Sequence, residues 1–302
     1  MRWLVAIVVL VAMPACDRAA STPPALLLTA PVSAPPYTAP TPIDPAAYPW
    51  LVGRASVHGA LVDRFPCPPG HVRIAVSPGS FAHWLRGLPL KAPGAPVLLH
   101  DGRRKSADVA AAVVDIDTGT RDLQQCADAV MRLRAEYLYA AGRNAELAFA
   151  FTSGHACRWD DYRAGLRPRI DGSRVSFVRA ATADASRASF RRWMDLVFAY
   201  AGTRSLEREL LRREPIEAAE PGDVLIEGGS PGHAVLVVDV CRDASGRTLA
   251  LLAQSYMPAQ DVHVLRNVRA PELGAWFRLE PGPCPTPEWL FHARDLRRWS
   301  AP

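Results

Sequence analysis

The sequence predicts an α+β fold, with helices in the middle of the chain and antiparallel strands in its C-terminal third. In residues 123–140, apolar side chains recur every three or four positions, which is the period of an amphipathic helix. Residues 223–226, 233–240 and 249–255 are apolar and rich in valine and leucine, as in buried strands. The last two segments flank a turn signal at residues 243–246 and so predict a hairpin. Helices that precede a run of strands favour an α+β fold over alternating βαβ units.

The remaining elements are predicted from the same patterns and from capping residues. Asp122 and Ser205 are the predicted N-caps of two helices, because their side chains can accept hydrogen bonds from the free N–H groups of a first helical turn. The predicted helices cover residues 80–85, 123–140, 188–200 and 205–213. The other predicted strands cover residues 72–76, 96–100, 111–117 and 147–151.

Residues 1–15 are typical of a signal peptide. Arg2 provides a positive charge, and residues 3–13 form an uninterrupted apolar stretch. A helix needs about twenty apolar residues to cross a hydrocarbon core of about 30 Å, so this stretch is too short for a permanent membrane span. We expect residues 1–15 to be removed after export.

The end of this segment, Met13-Pro14-Ala15-Cys16, resembles the lipobox of bacterial lipoproteins. The resemblance implies that Cys16 is acylated on sulfur and becomes the new N-terminus, which would anchor the protein to a membrane on the periplasmic side of the cell envelope. Each buried methylene of such an anchor contributes about 0.8 kcal/mol, so two or three acyl chains hold the protein permanently. The alternative is an ordinary secretory signal that is cleaved without lipidation.

Residues 16–47 are predicted to be a tether. They are dense in proline, alanine and threonine, and closely spaced prolines favour extended, semi-rigid polyproline II over helix or sheet. Residues 48–302 then form the single predicted α+β domain, which is long enough and apolar enough for a sizeable core.

Charge and histidine spacing exclude several functions. The net charge of +5 is spread over separate arginine pairs, so no nucleic-acid partner is predicted. Asp115 and Asp117 alternate along one predicted strand, but no histidine or cysteine cluster accompanies them. We therefore predict no metal site and no cofactor.

The cysteines provide the first indication of chemistry. If Cys16 carries lipid, the remaining five are exposed to an oxidising compartment, and an odd number leaves at least one free thiol. The sequence leaves the pairing of the five open; they are Cys67, Cys126, Cys157, Cys241 and Cys284.

Cys126 is the candidate nucleophile. It lies near the start of the predicted long helix, where the positive end of the helix dipole is expected to lower the thiol pKa. His233 opens an apolar strand and could accept the thiol proton. The alternative is structural, because cysteine is among the most buried residue types and His233 could be a polar residue at a strand end.

This layout resembles the papain-like superfamily, including the NlpC-type peptidases and amidases of bacterial cell walls. In that superfamily a helix-start cysteine packs against an antiparallel sheet, and a Pro-Gly-Asp segment precedes a strand and then a Gly-His pair; residues 221–226 and 232–238 look similar. The resemblance implies Cys126 as nucleophile, His233 as base and Gln254 as the residue that orients the imidazole, with Ser255 as the alternative orienter.

The resemblance also has departures and open points. His233 follows Cys126 by 107 positions, which requires an inserted helical region, and Gln125 stands where an aspartate or aromatic residue is usual. Gln124 or backbone amides at the helix start are the expected oxyanion donors. The string at residues 228–232 matches the serine-hydrolase elbow, but it lies between two strands and is predicted to be a loop that could line a cleft.

A longer resemblance covers residues 50–299. The chain is similar to a bacterial family known as domain-of-unknown-function family 4846. The strings that carry this resemblance are residues 80–91, 122–129, 151–154, 200–203 and 252–260.

This family supplies no established reaction. We therefore expect a cell-envelope thiol hydrolase, a peptidase or amidase acting on an amide in peptidoglycan or its stem peptides. The alternative is a non-catalytic envelope lipoprotein that binds a glycan, a peptide or a protein partner.

Overall fold

Six α-helices, five short 3₁₀ helices and fifteen strands make up the regular structure of residues 43–53 and 58–300, the part of the chain that the computed structural model describes. These residues belong to the compact unit Pro40–Pro302. The helices are α1 (Leu61–Arg64), α2 (Phe81–Arg86), α3 (Cys126–Ala140), α4 (Trp159–Arg163), α5 (Arg187–Tyr200) and α6 (Thr203–Glu209). The strands are β1 (His71–Arg73), β2 (Ala110–Val113), β3 (Ala148–Ala150), β4 (Ala156–Arg158), β5 (Leu166–Asp171), β6 (Arg174–Arg179), β7 (Leu211–Arg212), β8 (Val224–Glu227), β9 (His233–Asp243), β10 (Thr248–Gln254), β11 (His263–Leu265), β12 (Trp276–Leu279), β13 (Pro283–Pro285), β14 (Leu290–His292) and β15 (Leu296–Arg298).

Nine of the described strands form one antiparallel sheet. Its order is β2-β11-β10-β9-β8-β15-β7, with β1 paired to β9 and β12 paired to β10. The three remaining pairs, β3-β4, β5-β6 and β13-β14, form separate two-stranded sheets. Helices together with antiparallel sheets confirm the predicted α+β class.

Strands β9 and β10 lie at the centre of the large sheet and pair as the predicted hairpin. Ala234, Leu236 and Val238 of β9 pack into the larger core, which also contains most of α3. Val235 and Val237 point to the opposite face and pack into a second, smaller core. Because successive side chains point to opposite faces, a strand covered on both sides is apolar at nearly every position. This explains the continuous valine and leucine runs in the sequence.

The long helix α3 begins three residues later than predicted. Its N-cap is Gln125, whose backbone N–H donates to Asp128 Oδ2 at 3.0 Å. The predicted N-cap, Asp122, instead accepts hydrogen bonds from the Ala259 backbone N–H at 2.6 Å and the Gln125 side chain at 3.0 Å. The prediction of Asp122 as N-cap was wrong because its carboxylate is engaged by the loop after β10. Cys126 is therefore the first residue of the helix.

Two other local predictions differ from the structure. Residues 96–100 do not form a strand; only isolated bridges occur there, between Leu98 and Arg104 and between Leu99 and Gln260. Helix α6 begins at Thr203, and Ser205 lies inside its first turn, where its Oγ accepts from the Gly202 backbone N–H at 3.0 Å. Gly202 is therefore the N-cap, and Ser205 caps the helix through this hydrogen bond from a position within the first turn.

One disulfide joins two distant parts of the described chain. Cys67, which precedes β1, is bonded to Cys241 on β9, across a sequence separation of 174 residues. Closing a loop of this length restricts the unfolded chain by about 5 kcal/mol in the chain-entropy picture. The other cysteines of the described residues, Cys126, Cys157 and Cys284, are free and buried.

The predicted signal peptide, the lipidation site Cys16 and residues 16–42 of the predicted tether lie outside the described residues. Within residues 43–53 and 58–300, no helix has both the length and the apolar content that crossing a membrane requires.

Candidate functional site

The N-terminus of α3, the start of β9 and the end of β10 meet at one end of the central hairpin. Antiparallel pairing places His233, the first residue of β9, near Gln254, the last residue of β10. The backbone N–H groups of Ala127 on the same helix and Ala234 on β9 lie close enough to the Cys126 thiol to favour its ionised form. The fold therefore brings the three predicted residues together, although they are far apart in sequence.

The imidazole of His233 has a defined partner. Its Nε2 lies 2.9 Å from Gln254 Oε1, and both side chains are buried. An amide oxygen can only accept a hydrogen bond, so Nε2 carries the proton in this arrangement. Nδ1, which Gln254 does not contact, is then the basic nitrogen of the ring.

Three aromatic rings surround the imidazole. The ring centroids of Tyr256, Trp289 and Phe291 lie 4.9, 5.4 and 5.8 Å from that of His233. His233 is 1% exposed, and this burial lowers its pKa to about 4. His233 is therefore a neutral base at pH 7.

The pKa of the Cys126 thiol is shifted in the direction opposite to the prediction. Burial, with a smaller contribution from Asp128, raises the pKa of Cys126 to about 11, although three backbone N–H groups oppose the shift. The expected lowering by the helix N-terminus is outweighed because the sulfur is removed from water. The resting site consists of a neutral thiol and a neutral imidazole, and the thiol must lose its proton before or during any attack.

Cys126 lies in a cavity of about 420 Å³. Residues from α3, α5, α6, the loop before β9 and the loop after β10 line this cavity; they include Cys126, Asp128, Phe198, Thr203, Pro231 and Met257. His233, Gln254 and Gln124 are not among the described residues that line it. A ligand in the cavity would therefore contact Cys126 and not these three side chains.

Residues 229–232 of the glycine-rich loop line the cavity, in keeping with the prediction that this loop could line a cleft. A Cβ on Gly232 would lie 2.5 Å from Thr203 Oγ1 and 2.7 Å from the Glu227 carbonyl oxygen. No side chain fits at that distance, so the loop can approach α6 closely only with glycine at this position.

The predicted oxyanion donor Gln124 is buried next to the site. Its Oε1 accepts from the Arg132 guanidinium at 2.8 Å, while its Nε2 has no partner among the described residues. Its carbonyl oxygen accepts from Ser255 Oγ at 3.0 Å. Ser255, the alternative orienter, is thus bonded to backbone carbonyl groups, whereas Gln254 bonds to the imidazole.

Sequence reasoning missed the groups behind Gln254. Gln254 Nε2 donates to Glu288 Oε2 at 2.6 Å, and Glu288 Oε1 accepts from Lys105 Nζ at 2.7 Å. The Lys105 ammonium also lies 5.1 Å from the centroid of the Tyr256 ring. Glu288 lies in the turn between β13 and β14, and no motif or spacing in the sequence relates it to Cys126.

Asp115 and Asp117 are not close to a set of metal ligands. Asp117 pairs with Arg132 at 3.0 Å and with Arg191 at 3.4 Å. Within the described part of the chain, no group of three or more histidine, cysteine, aspartate or glutamate side chains could hold a metal ion. Asp117 therefore serves as an ion-pair partner of arginines on α3 and α5.

Two larger cavities lie elsewhere in the molecule. One, of about 610 Å³, is lined by polar groups that include Arg104 and Arg266. The other, of about 560 Å³, is lined by Tyr48, Trp84 and Tyr137. Of these three cavities, only the one at Cys126 is lined by a free thiol.

Comparison with protein families gives one match, which covers residues 61–298. The chain belongs to the family described as domain of unknown function 4846. The match confirms the longer of the two sequence resemblances. The residues around Cys126, including Glu288, all lie inside the region that defines family 4846, whereas residues 1–47 lie outside it. Neither the curated proteins nor the solved structures gave a match to the chain.

Proposed function

We propose that this member of family 4846 is a cell-envelope thiol hydrolase, a papain-like peptidase or amidase. The hydrogen bond between His233 and Gln254, next to a free cysteine at a helix N-terminus, carries the proposal. This combination supplies a nucleophile, a base and a group that orients the base. The amide that it cleaves belongs, in this proposal, to peptidoglycan or its stem peptides.

The reaction begins from the neutral pair. As the Cys126 sulfur attacks the carbonyl carbon, its proton moves to His233 Nδ1, so that thiolate forms only in the presence of substrate. The carbonyl oxygen becomes an oxyanion, which Gln124 Nε2 or the N–H groups at the start of α3 stabilise.

The second half of the reaction regenerates the site. The imidazolium returns its proton to the leaving nitrogen, the C–N bond breaks, and an acyl thioester with Cys126 remains. Water then attacks the thioester while Nδ1 accepts one of its protons. The carboxylic acid leaves, and the proton returns to the sulfur.

The proposal includes the location of the protein. The lipobox-like Met13–Cys16 segment and the proline-rich stretch would place the domain on the outer side of a membrane, near the cell wall. The Cys67–Cys241 disulfide supports this location, because disulfides persist in oxidising compartments. Mass spectrometry of the mature N-terminus tests it: acyl chains on Cys16 are expected, and an unmodified N-terminus contradicts the anchor.

A second candidate function has its own support. In a non-catalytic envelope lipoprotein, Cys126 would be a buried packing residue, in keeping with its raised pKa. The cavity lined by Tyr48, Trp84 and Tyr137 would then bind a glycan or peptide, since aromatic rings are common in ligand sites.

Digestion of purified peptidoglycan separates the two functions. The wild-type protein, Cys126→Ala and Cys126→Ser are incubated with peptidoglycan and with isolated stem peptides, and the products are separated and weighed by mass spectrometry. New carboxyl and amino ends are expected from the wild type alone. Identical product patterns for all three proteins contradict the hydrolase. Saturable binding of uncleaved fragments, weakened by Trp84→Ala, supports the second function instead.

A further inference from the structure

The side chain of Gln254 is held from two sides. Its Oε1 faces His233 Nε2 at 2.9 Å, and its Nε2 faces Glu288 Oε2 at 2.6 Å. Gln254 is 1% exposed, so water does not compete for its amide. A carboxylate can only accept hydrogen bonds, and only the NH₂ end of an amide can donate them. Glu288 therefore favours one of the two orientations of the Gln254 amide.

We infer that Glu288 is a positioning residue that selects the tautomer of His233 by fixing the orientation of the Gln254 amide. With Oε1 of Gln254 toward the imidazole, Nε2 of His233 must carry the hydrogen and Nδ1 keeps its lone pair. With the amide reversed, its NH₂ group would face Nε2 and the ring proton would move to Nδ1. A base with its proton on the wrong nitrogen cannot accept one from the thiol.

Lys105 and the surrounding turn hold Glu288 in place. Lys105 Nζ donates to Glu288 Oε1, and Glu288 Oε2 accepts from the Gln254 amide. The side chains of Lys105 and Glu288 are only 9% and 15% exposed. In the same turn, Thr286 Oγ1 donates to the Trp289 carbonyl oxygen at 2.9 Å. The Trp289 indole N–H donates to Glu227 on β8 at 3.1 Å. The carboxylate is thus attached to the sheet that carries His233.

The charged and titratable groups around His233 come from several elements. Lys105 and Glu288 lie beyond Gln254, Tyr256 lies against the ring, and Cys126 lies at the start of α3. A second buried histidine, His263 on β11, is the Cα partner of Gln254. Its Nδ1 faces the Asp261 carbonyl oxygen at 2.9 Å, which requires the proton on Nδ1. The two buried histidines are therefore expected to be opposite tautomers.

This difference provides the test. Long-range ¹H–¹⁵N NMR spectra of the ¹⁵N-labelled protein at pH 7 identify which nitrogen of each ring is protonated. We expect Nε2–H for His233 and Nδ1–H for His263. In Glu288→Gln, the new amide can accept or donate, so His233 is expected to become a mixture of tautomers, while His263 stays unchanged and reports an intact fold.

A charge-conserving exchange is the matched control. In Gln254→Glu/Glu288→Gln, the carboxylate at position 254 can only accept from His233, and the amide at position 288 can donate to it. His233 is therefore expected to return to Nε2–H. Nδ1–H for His233 in the wild type, or pure Nε2–H in Glu288→Gln, would overturn the inference. A wild-type His233 with its proton on Nδ1 would overturn the inference even if neither variant folds.

The role of Glu288 in catalysis rests on the proposed function, but the tautomer measurement does not. If the wild type cleaves peptidoglycan, Glu288→Gln is expected to lower kcat by at least about 10-fold with little change in KM, and the exchange variant is expected to restore part of kcat, because the wrong tautomer disables a base and not substrate binding. The expected tautomers without any cleavage would contradict the hydrolase and support the positioning role. Cleavage by the wild type, together with pure Nε2–H for His233 in Glu288→Gln, would support the hydrolase and contradict the positioning role.

Discussion

Cys126 and Cys157 are both free, buried thiols, and burial raises the pKa of both, to about 11 and about 12. Their surroundings differ. The Cys157 sulfur lies on β4 against the Trp193 indole in the main core, whereas the Cys126 sulfur lies near backbone N–H groups of α3 and β9 and borders a cavity. A cysteine therefore becomes a candidate nucleophile through the donors, the base and the space around it, and burial alone does not distinguish the two.

Removing each sulfur in turn is the strongest test of this difference. If Cys126 is the nucleophile, Cys126→Ala is expected to lower amide hydrolysis by at least about 10³-fold, since the acyl-enzyme cannot form. Cys157→Ala removes only a core contact and is expected to lower thermal stability while most of the activity remains. Release of stem-peptide fragments and thermal unfolding are the two measurements. Equal activity losses in both variants would contradict the comparison.

Acid unfolding sharpens the comparison, because His233 belongs to the Cys126 region. Its pKa is about 4 in the folded protein, against 6.5 for an unperturbed histidine. The unfolded chain thus binds the proton first, so stability falls as the pH drops from 6.5 towards 4. For His233 this amounts to about 3 kcal/mol.

In His233→Gln, the loss of unfolding free energy between pH 7 and pH 4 is expected to be smaller by about this amount. Urea unfolding of the two proteins at both pH values checks it. An unchanged pH dependence would show that His233 is not buried as a neutral ring.

Alkylation compares the two thiols within one protein. Cys126 is 9% exposed and borders a cavity, whereas Cys157 is 1% exposed, so Cys126 is expected to be labelled faster. Both rates are expected to rise with pH because both pKa values lie above 9. Peptide mass spectrometry after timed treatment with iodoacetamide measures both rates. In His233→Ala, labelling of Cys126 is expected to slow. Faster labelling in this variant would mean that the histidine only shields the sulfur.

The smallest effect concerns the loop beside Cys126. Gly232→Ala places a Cβ 2.5 Å from Thr203 Oγ1 and is expected to cost about 1–3 kcal/mol of unfolding free energy. Gly202→Ala is the matched control, because Gly202 lines the same cavity but its added Cβ meets nothing within 4 Å. Similar losses in the two variants would mean that the loop does not pack against α6 as described.

The amino-acid pattern predicts the elements of this fold better than the positions of their ends. The periodicity of residues 123–140 indicates α3, but the choice of Asp122 as N-cap failed because a tertiary contact from Ala259 engages its carboxylate. The apolar runs of β9 and β10 identify two central strands, since both faces of the sheet are covered.

For the candidate site, sequence reasoning brings together Cys126, His233 and Gln254, because each stands at the end of a recognisable element. It could not find Glu288, which meets Gln254 only through the folding of a hairpin far along the chain. It also gave the wrong direction for the pKa of Cys126. The helix position of a thiol is visible in a sequence, but its loss of contact with water is not.

The burial of Cys126 also bears on how long such a thiol survives. Oxidants attack thiolates, and a sulfur that is protonated at neutral pH and 9% exposed presents little thiolate to them. In surroundings oxidising enough to join Cys67 to Cys241, a pre-formed thiolate would be lost to sulfenic and sulfinic acids over time. If Cys126 is the nucleophile, a thiol that ionises only when a substrate arrives would react more slowly than a pre-formed thiolate but would resist oxidation for longer.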